Sequence, residues 1–195
     1  MRPNVLIIHT DQQSLWTLSV YGGELVKTPN IDRIGTEGSI FRNFFTVAAV
    51  CTPSRGCFLT GRYPHHHGAY VNSIPLNRDE VTLAHVLAQN DYDTGYVGKW
   101  HLDGPDGPGW VSEFRGMGFD DNRYMFNRGH HKTFQERQND VPYTSRDIGD
   151  ETSYGTDWLT DRSIDFIRRD RDQPFFLMLS IPDPHTPFTV REPFA

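Results

Sequence analysis

Cysteine is scarce in this sequence: 195 residues contain only two, Cys51 and Cys57. A disulfide framework is therefore excluded as the organising principle, and a chain of this length can bury a core without one. Long apolar runs are also missing, so no stretch approaches the roughly 20 residues of a membrane-spanning helix. Positive charge is not in excess either, with 19 Lys and Arg against 25 Asp and Glu and a formal net charge of -6. That balance argues against nucleic acid as the main partner. It leaves room for a small anion, which a few local cations can hold. The opening Met1-Arg2-Pro3-Asn4 runs into Val5-Leu6-Ile7-Ile8, too short for the apolar region of a signal peptide and without a small-residue cleavage site. The expectation is a cytoplasmic protein, or a periplasmic or secreted one if the N-terminus was trimmed. Internal repeats and low-complexity tracts are absent.

What is present is aromatic residues, at 13%, and short apolar runs punctuated by Gly and Pro. Three runs read as buried strands: residues 5–8, Tyr96-Val97 between two glycines, and residues 175–179 between Pro174 and Pro182. Unbroken apolarity predicts central strands covered on both faces. Helical patterns lie between them, over residues 30–37 with Gly38 as the stop, from a Thr82 cap to about Asn90, and over residues 156–169. Strands alternating with helices predict an α/β domain with a mostly parallel sheet. Residues 103–153 show little periodicity, and a structureless loop of that length is unusual, so this segment is either functional or partly ordered by short elements. The ending Pro193-Phe194-Ala195 follows soon after a strand and reads as cut rather than finished.

Chemistry concentrates in Cys51-Thr52-Pro53-Ser54-Arg55-Gly56-Cys57-Phe58-Leu59-Thr60-Gly61-Arg62. Thr52 reads as a helix N-cap, Pro53 as the first helical residue and Gly61 as the stop. Cys51 then precedes a helix N-terminus, where free N–H groups and the dipole attract anions, and Arg55 adds a charge one turn in. A nucleophile at such a place suits phosphate or sulfate chemistry. The segment resembles the signature of the type I sulfatases, Cys-x-Pro-x-Arg followed by Thr-Gly. The resemblance implies that a formylglycine-generating enzyme oxidises Cys51 to an aldehyde. Hydrated, it would attack sulfur through one hydroxyl, and the second would let the sulfated intermediate collapse and expel sulfate. Cys57 is expected to be packing only.

Further motifs match the same family in order. Asn4-Val5-Leu6-Ile7-Ile8-His9-Thr10-Asp11-Gln12-Gln13 resembles the first strand leading into the metal-binding acid. Asp11 sits at the carboxyl end of a strand, where α/β sheets gather ligands, and a hard cation wants oxygen donors. Many sulfatases have two consecutive Asp residues here; Asp11-Gln12 offers one charge fewer. The implied ion is Ca²⁺ (or Mg²⁺ or Mn²⁺), held by Asp11, Gln12 and the modified Cys51. Gly95-Tyr96-Val97-Gly98-Lys99-Trp100-His101-Leu102 resembles the next motif. On an extended strand end, Lys99 and His101 would share a face opposite Trp100. Carried over, Lys99 would neutralise sulfate oxygens and His101 would take a proton during sulfate expulsion. Ser180-Ile181-Pro182-Asp183-Pro184-His185-Thr186-Pro187-Phe188 resembles the family's Pro-His-x-Pro, in which His185 would contact sulfate and protonate the leaving oxygen. Thr28-Pro29-Asn30-Ile31-Asp32-Arg33 and the stretch around His65-His66-His67 are expected to be structural, while His130-His131 would either line the substrate pocket or lie on an exposed loop.

The resemblance covers residues 4–188 and implies the alkaline-phosphatase type of fold, a mixed, mostly parallel sheet flanked by helices. Residues 1–195 would form the N-terminal part of a sulfatase catalytic domain, with 103–153 a substrate-specificity insert. The implied activity is sulfuric ester hydrolysis, on a small-molecule or carbohydrate sulfate. The remaining metal ligands would lie downstream, and the 195 residues alone would be inactive. One alternative is a phosphonate monoester or phosphodiester hydrolase of the same superfamily. Another is a non-catalytic binding module with an unmodified Cys51.

Overall fold

Successive side chains of a β-strand point to opposite faces, so a fully apolar strand needs cover on both sides. In the computed structural model, which describes residues 2–104, 109–129, 131–136 and 143–195, the third run forms such a strand. The elements in chain order are β1 (Val5–Thr10), α1 (Pro29–Glu37), α2 (Cys51–Thr60), α3 (Pro64–His67), α4 (Leu83–Ala88), β2 (Asp93–Lys99), β3 (Asp121–Phe126), β4 (Thr133–Gln135), β5 (Tyr143–Ser145), α5 (Gly155–Ile167) and β6 (Phe175–Ile181).

Strands β1, β6, β2 and β3 form one parallel sheet in that order, and β4 and β5 pair antiparallel. The result is the expected α/β architecture, a mostly parallel sheet flanked by helices. Phe176 and Met178 of β6 pack on one face with Tyr96, Trp100 and Leu59. Phe175, Leu177 and Leu179 pack on the other with Val97, Trp158 and Phe166. Strand β1 departs from the expectation of cover on both faces. Its Leu6 is 44% and its Ile8 53% exposed, because its apolar alternation has a packed partner on one side only among the described residues.

The chain divides into two units. One comprises residues 1–11 and 47–195, the other residues 12–46. In the smaller unit, Pro29 occupies the first turn of α1, and Asp32 accepts hydrogen bonds from the Val20 N–H at 2.8 Å and the Thr28 hydroxyl at 2.9 Å. Thr28-Pro29-Asn30-Ile31-Asp32-Arg33 is thus a helix start in the structure.

The described residues of the segment 103–153 include short strands, one of the two outcomes its sequence left open. They supply β3, the edge strand of the main sheet, and the β4–β5 pair. Helix α4 starts at the expected Thr82, whose hydroxyl accepts from the His85 N–H, while the His85 ring accepts from the Thr82 N–H at 3.1 Å. Helix α2 begins two residues earlier than expected. Val50 is its N-cap and Cys51 its first residue, so Thr52 does not cap; its hydroxyl donates instead to the His101 carbonyl at 2.9 Å. Gly61 ends the helix in the left-handed region, φ 67°, as the sequence predicts.

Candidate active site

The carboxyl ends of β1, β6 and β2 lie side by side, and α2 points its first turn at them. Four side chains meet there. Asp11, just past β1, ion-pairs with the Lys99 ammonium at the end of β2. Arg55, in the second turn of α2, places Nη2 3.7 Å from the Asp11 Oδ2. The Cys51 Sγ lies 3.6 Å from the Asp11 Oδ1. Arg55 and Lys99 are each only 3% exposed, so their charges act in a poorly solvated setting.

The guanidinium is fixed by the strands. Its Nη1 donates to the Lys99 carbonyl at 2.7 Å and to the Ser180 Oγ at 2.8 Å. Ser180 and Tyr96 in turn donate to that same carbonyl, at 2.8 and 2.6 Å. β2 and β6 can close on each other here because of Gly98. Its φ is 110°, and a Cβ there would lie 2.0 Å from the Ser180 carbonyl oxygen. The Nε and Nη2 of Arg55 make no hydrogen bond among the described residues, so donors are left over beside the sulfur. Such orphaned, buried donors fit an anion.

Electrostatics follow from burial and charge. Burial would raise the Asp11 carboxyl, but Arg55 and Lys99 outweigh it and hold the group below the usual carboxylate range. Burial, then the Asp11 charge, pushes the Cys51 thiol up. As a thiol it therefore stays protonated at neutral pH and is a weak nucleophile. His101 is lowered to about 4 by burial and by the Lys99 and Arg55 charges, so it stands neutral at pH 7. Its backbone corrects one expectation: φ is 59°, left-handed rather than extended, so strand alternation with Trp100 does not continue through it. Trp100 is buried, and Nδ1 of His101 is buried without a hydrogen bond among the described residues.

His185 arrives on the loop after β6. Ligand atoms of Asp11, Cys51 and His185 lie within 4.8 Å of one another, a cluster able to hold a metal ion. The donor set suits a hard divalent cation through the carboxylate, and better once an oxygen replaces the sulfur. Gln12 opens the smaller unit with φ 62°. His131 lines a narrow pocket with Lys99, Lys132, Asp183 and His185. His130 lies outside the described residues. His67 is a packing residue, fully buried, with Nε2 3.6 Å from the Cys57 Sγ. Cys57 is half-buried beside it, and both cysteines are free.

Several residues at the site carried no expectation. Ser180 was visible inside its motif, but nothing in a lone serine announces a bridge between Arg55 and Lys99. Asn72, whose Oδ1 accepts from the Thr52 N–H at 3.0 Å, comes from a stretch with no motif at all.

A family model described as Sulfatase matches residues 3–195. The chain belongs to the sulfatase family. An N-acetylglucosamine-6-O-sulfatase of Bacteroides thetaiotaomicron is 37% identical over 185 residues, covering 94% of this chain and 31% of that sulfatase. A solved structure in complex with its substrate D-glucosamine-2-N,6-O-disulfate superposes with a TM-score of 0.72 at 31% identity, covering 95% of this chain and 35% of that one. The phosphonate monoester hydrolase of Agrobacterium radiobacter superposes with a TM-score of 0.74 at 26% identity, covering 99% and 43%. The chain thus spans 31% of the N-acetylglucosamine-6-O-sulfatase and 35% of the substrate-complex structure. Its fold is the alkaline-phosphatase type that the sulfatase motifs imply. Among the described residues no helix is long and apolar enough to cross a membrane.

Proposed function

We propose that this chain supplies the nucleophile and part of the anion cradle of a sulfuric ester hydrolase acting on a sulfated carbohydrate. The observation that carries this reading is the meeting of Cys51 with Asp11, Arg55 and Lys99 at one set of strand ends. Support for a carbohydrate comes from the N-acetylglucosamine sulfatase and the disulfated glucosamine complex among its relatives. Because the chain spans about a third of those relatives, turnover belongs to the whole protein, and the 195 residues alone are expected to be inactive.

Formylglycine at position 51, made by a formylglycine-generating enzyme, would supply a hydrated aldehyde oxygen as nucleophile, and Asp11 with that oxygen, joined by Gln12, would hold Ca²⁺ (or Mg²⁺ or Mn²⁺) as a Lewis acid. Arg55 and Lys99 set opposing charge where a sulfate group must sit, on side chains that need no rearrangement. His101, neutral at pH 7, can accept a proton at a ring nitrogen during sulfate release. His185 can donate one to the departing alcohol oxygen.

The phosphonate monoester hydrolase at TM-score 0.74 supports a second reading, since sulfate and phosphonate monoanions share their shape. Full-length protein co-produced with the formylglycine-generating enzyme should hydrolyse an aryl sulfate with a larger kcat/KM than an aryl phosphonate monoester. The opposite ranking would establish the phosphonate reading. No turnover of either, by protein with an unmodified thiol, would leave the binding module.

A further inference from the structure

Lys132 is 4% exposed, and its buried ammonium meets the Asp183 carboxylate. Asp183 lies on the loop that carries His185, two residues before it. Its other carboxylate oxygen accepts two more hydrogen bonds, from the Tyr154 hydroxyl and the Thr156 hydroxyl, each at 2.8 Å. Three donors from one stretch of chain therefore grip a single carboxylate. The grip is anchored on both sides. The Lys132 N–H donates to the Ser145 carbonyl at 2.9 Å, and its carbonyl accepts from Gly155 at the start of α5 at 2.8 Å. On the loop side, the Asp183 carbonyl accepts from the Asp11 N–H at 3.3 Å, and the His185 N–H donates to the Pro182 carbonyl at 3.1 Å.

We infer that the buried Lys132 and the half-buried Asp183 form a clasp, completed by Tyr154 and Thr156, that positions His185 against Asp11 and Cys51. Lys132 and Asp183 are positioning residues: they act through the loop rather than on the substrate. The physical reason is the cost of a loose acid. A proton donor held within hydrogen-bond reach contributes about a hundredfold or more, and that contribution collapses when the ring drifts. The loop itself is exposed at Thr186, Pro187 and Phe188, so packing alone does not fix it. The half-buried Asp183 carboxylate, held by three donors, does, because removing it leaves the buried Lys132 ammonium uncompensated.

The inference rests on His185 acting as the acid in the proposed sulfatase reaction, and the test separates the two. In the full-length, formylglycine-bearing protein, kcat and KM are measured for Lys132→Met, Lys132→Arg, Asp183→Asn and His185→Ala. Two substrates are used: p-nitrophenyl sulfate, whose phenolate leaves without a proton, and a sugar 6-O-sulfate, whose alkoxide does not. Lys132→Met and Asp183→Asn should lower kcat on the sugar sulfate about tenfold to a hundredfold with KM little changed, and barely alter the aryl ester. Lys132→Arg, which keeps the ion pair, should recover most of the loss. A general loss of packing would instead lower both substrates equally and shift Tm. The inference is overturned if both substrates fall together, or if KM on the sugar sulfate rises with kcat intact, which would place Lys132 on the substrate. It is also overturned if the clasp variants act normally while His185→Ala is crippled. A normal His185→Ala would remove the acid from the sulfatase reading itself.

Discussion

The strand-end site and the 132–156 stretch are built on opposite principles. At the strand ends each functional side chain sits at the edge of regular structure: Asp11 after β1, Lys99 at the last position of β2, Cys51 and Arg55 in the first turns of α2. Their places follow from backbone geometry, and each lies in a contiguous motif. In the 132–156 stretch, order comes from pairs far apart in sequence, such as Lys132 with Asp183 and Tyr154 with Asp183. The lesson is that chemistry placed on sheet edges can be read in short motifs, whereas the groups that aim it are joined only by folding.

The contrast can be broken by substitution, and the largest effect belongs to the strand ends. Cys51→Ala should reduce sulfatase turnover by about a thousandfold or more while leaving Tm near the parent value, as measured by steady-state kinetics beside calorimetry. Equal turnover would take the nucleophile away from α2. Gly98→Ala should destabilise by about 3 kcal/mol, because its Cβ has no room against the Ser180 carbonyl and its φ is left-handed. Urea unfolding checks this, and an unchanged midpoint would show that β2 and β6 relax freely there.

Arg55→Lys tests whether geometry or charge matters in the cradle. A lysine keeps the charge but cannot donate both to the Lys99 carbonyl and to Ser180 while facing Asp11. The account expects kcat/KM to drop about a hundredfold, and a drop under threefold would mean that charge alone suffices.

The smallest expected effect lies in the other region. Asp150 accepts from the hydroxyls of Ser153 and Thr152, both at 2.8 Å, and these hydrogen bonds lower its pKa from 3.8 to about 2. The folded state therefore favours the carboxylate. Its stabilising contribution is present above pH 3.8 and is lost as pH falls through about 2. Asp150→Asn should show a shallower loss of stability than the parent across that window in urea titrations at fixed pH. Parallel curves would show that the turn owes nothing to the charge.

Much of this arrangement was legible in residues. The three apolar runs became strands, and the Thr82 cap and the Gly61 stop bound the helices their patterns imply, because local propensity decides these features. Three features were not. β3 begins with Asp121, Asn122 and Arg123, whose polarity hides the strand's start. The exposed Leu6 and Ile8 cannot be told from buried ones, since apolarity records a need for cover and not the neighbour that supplies it. The left-handed His101 defeats alternation because a strand's periodicity ends with the strand. At the site, Asp11, Cys51, Arg55 and Lys99 were named from motifs and meet in space. Lys132 and Asp183 were invisible, since nothing in a lysine announces a partner 51 residues away.

The most direct test of the sulfatase account is the mass of the tryptic peptide 43–55 from full-length protein co-produced with a formylglycine-generating enzyme. The account predicts that sulfur is replaced by oxygen and that the peptide reacts as an aldehyde. An intact Cys51 thiol, alongside full conversion of a control peptide, would contradict it.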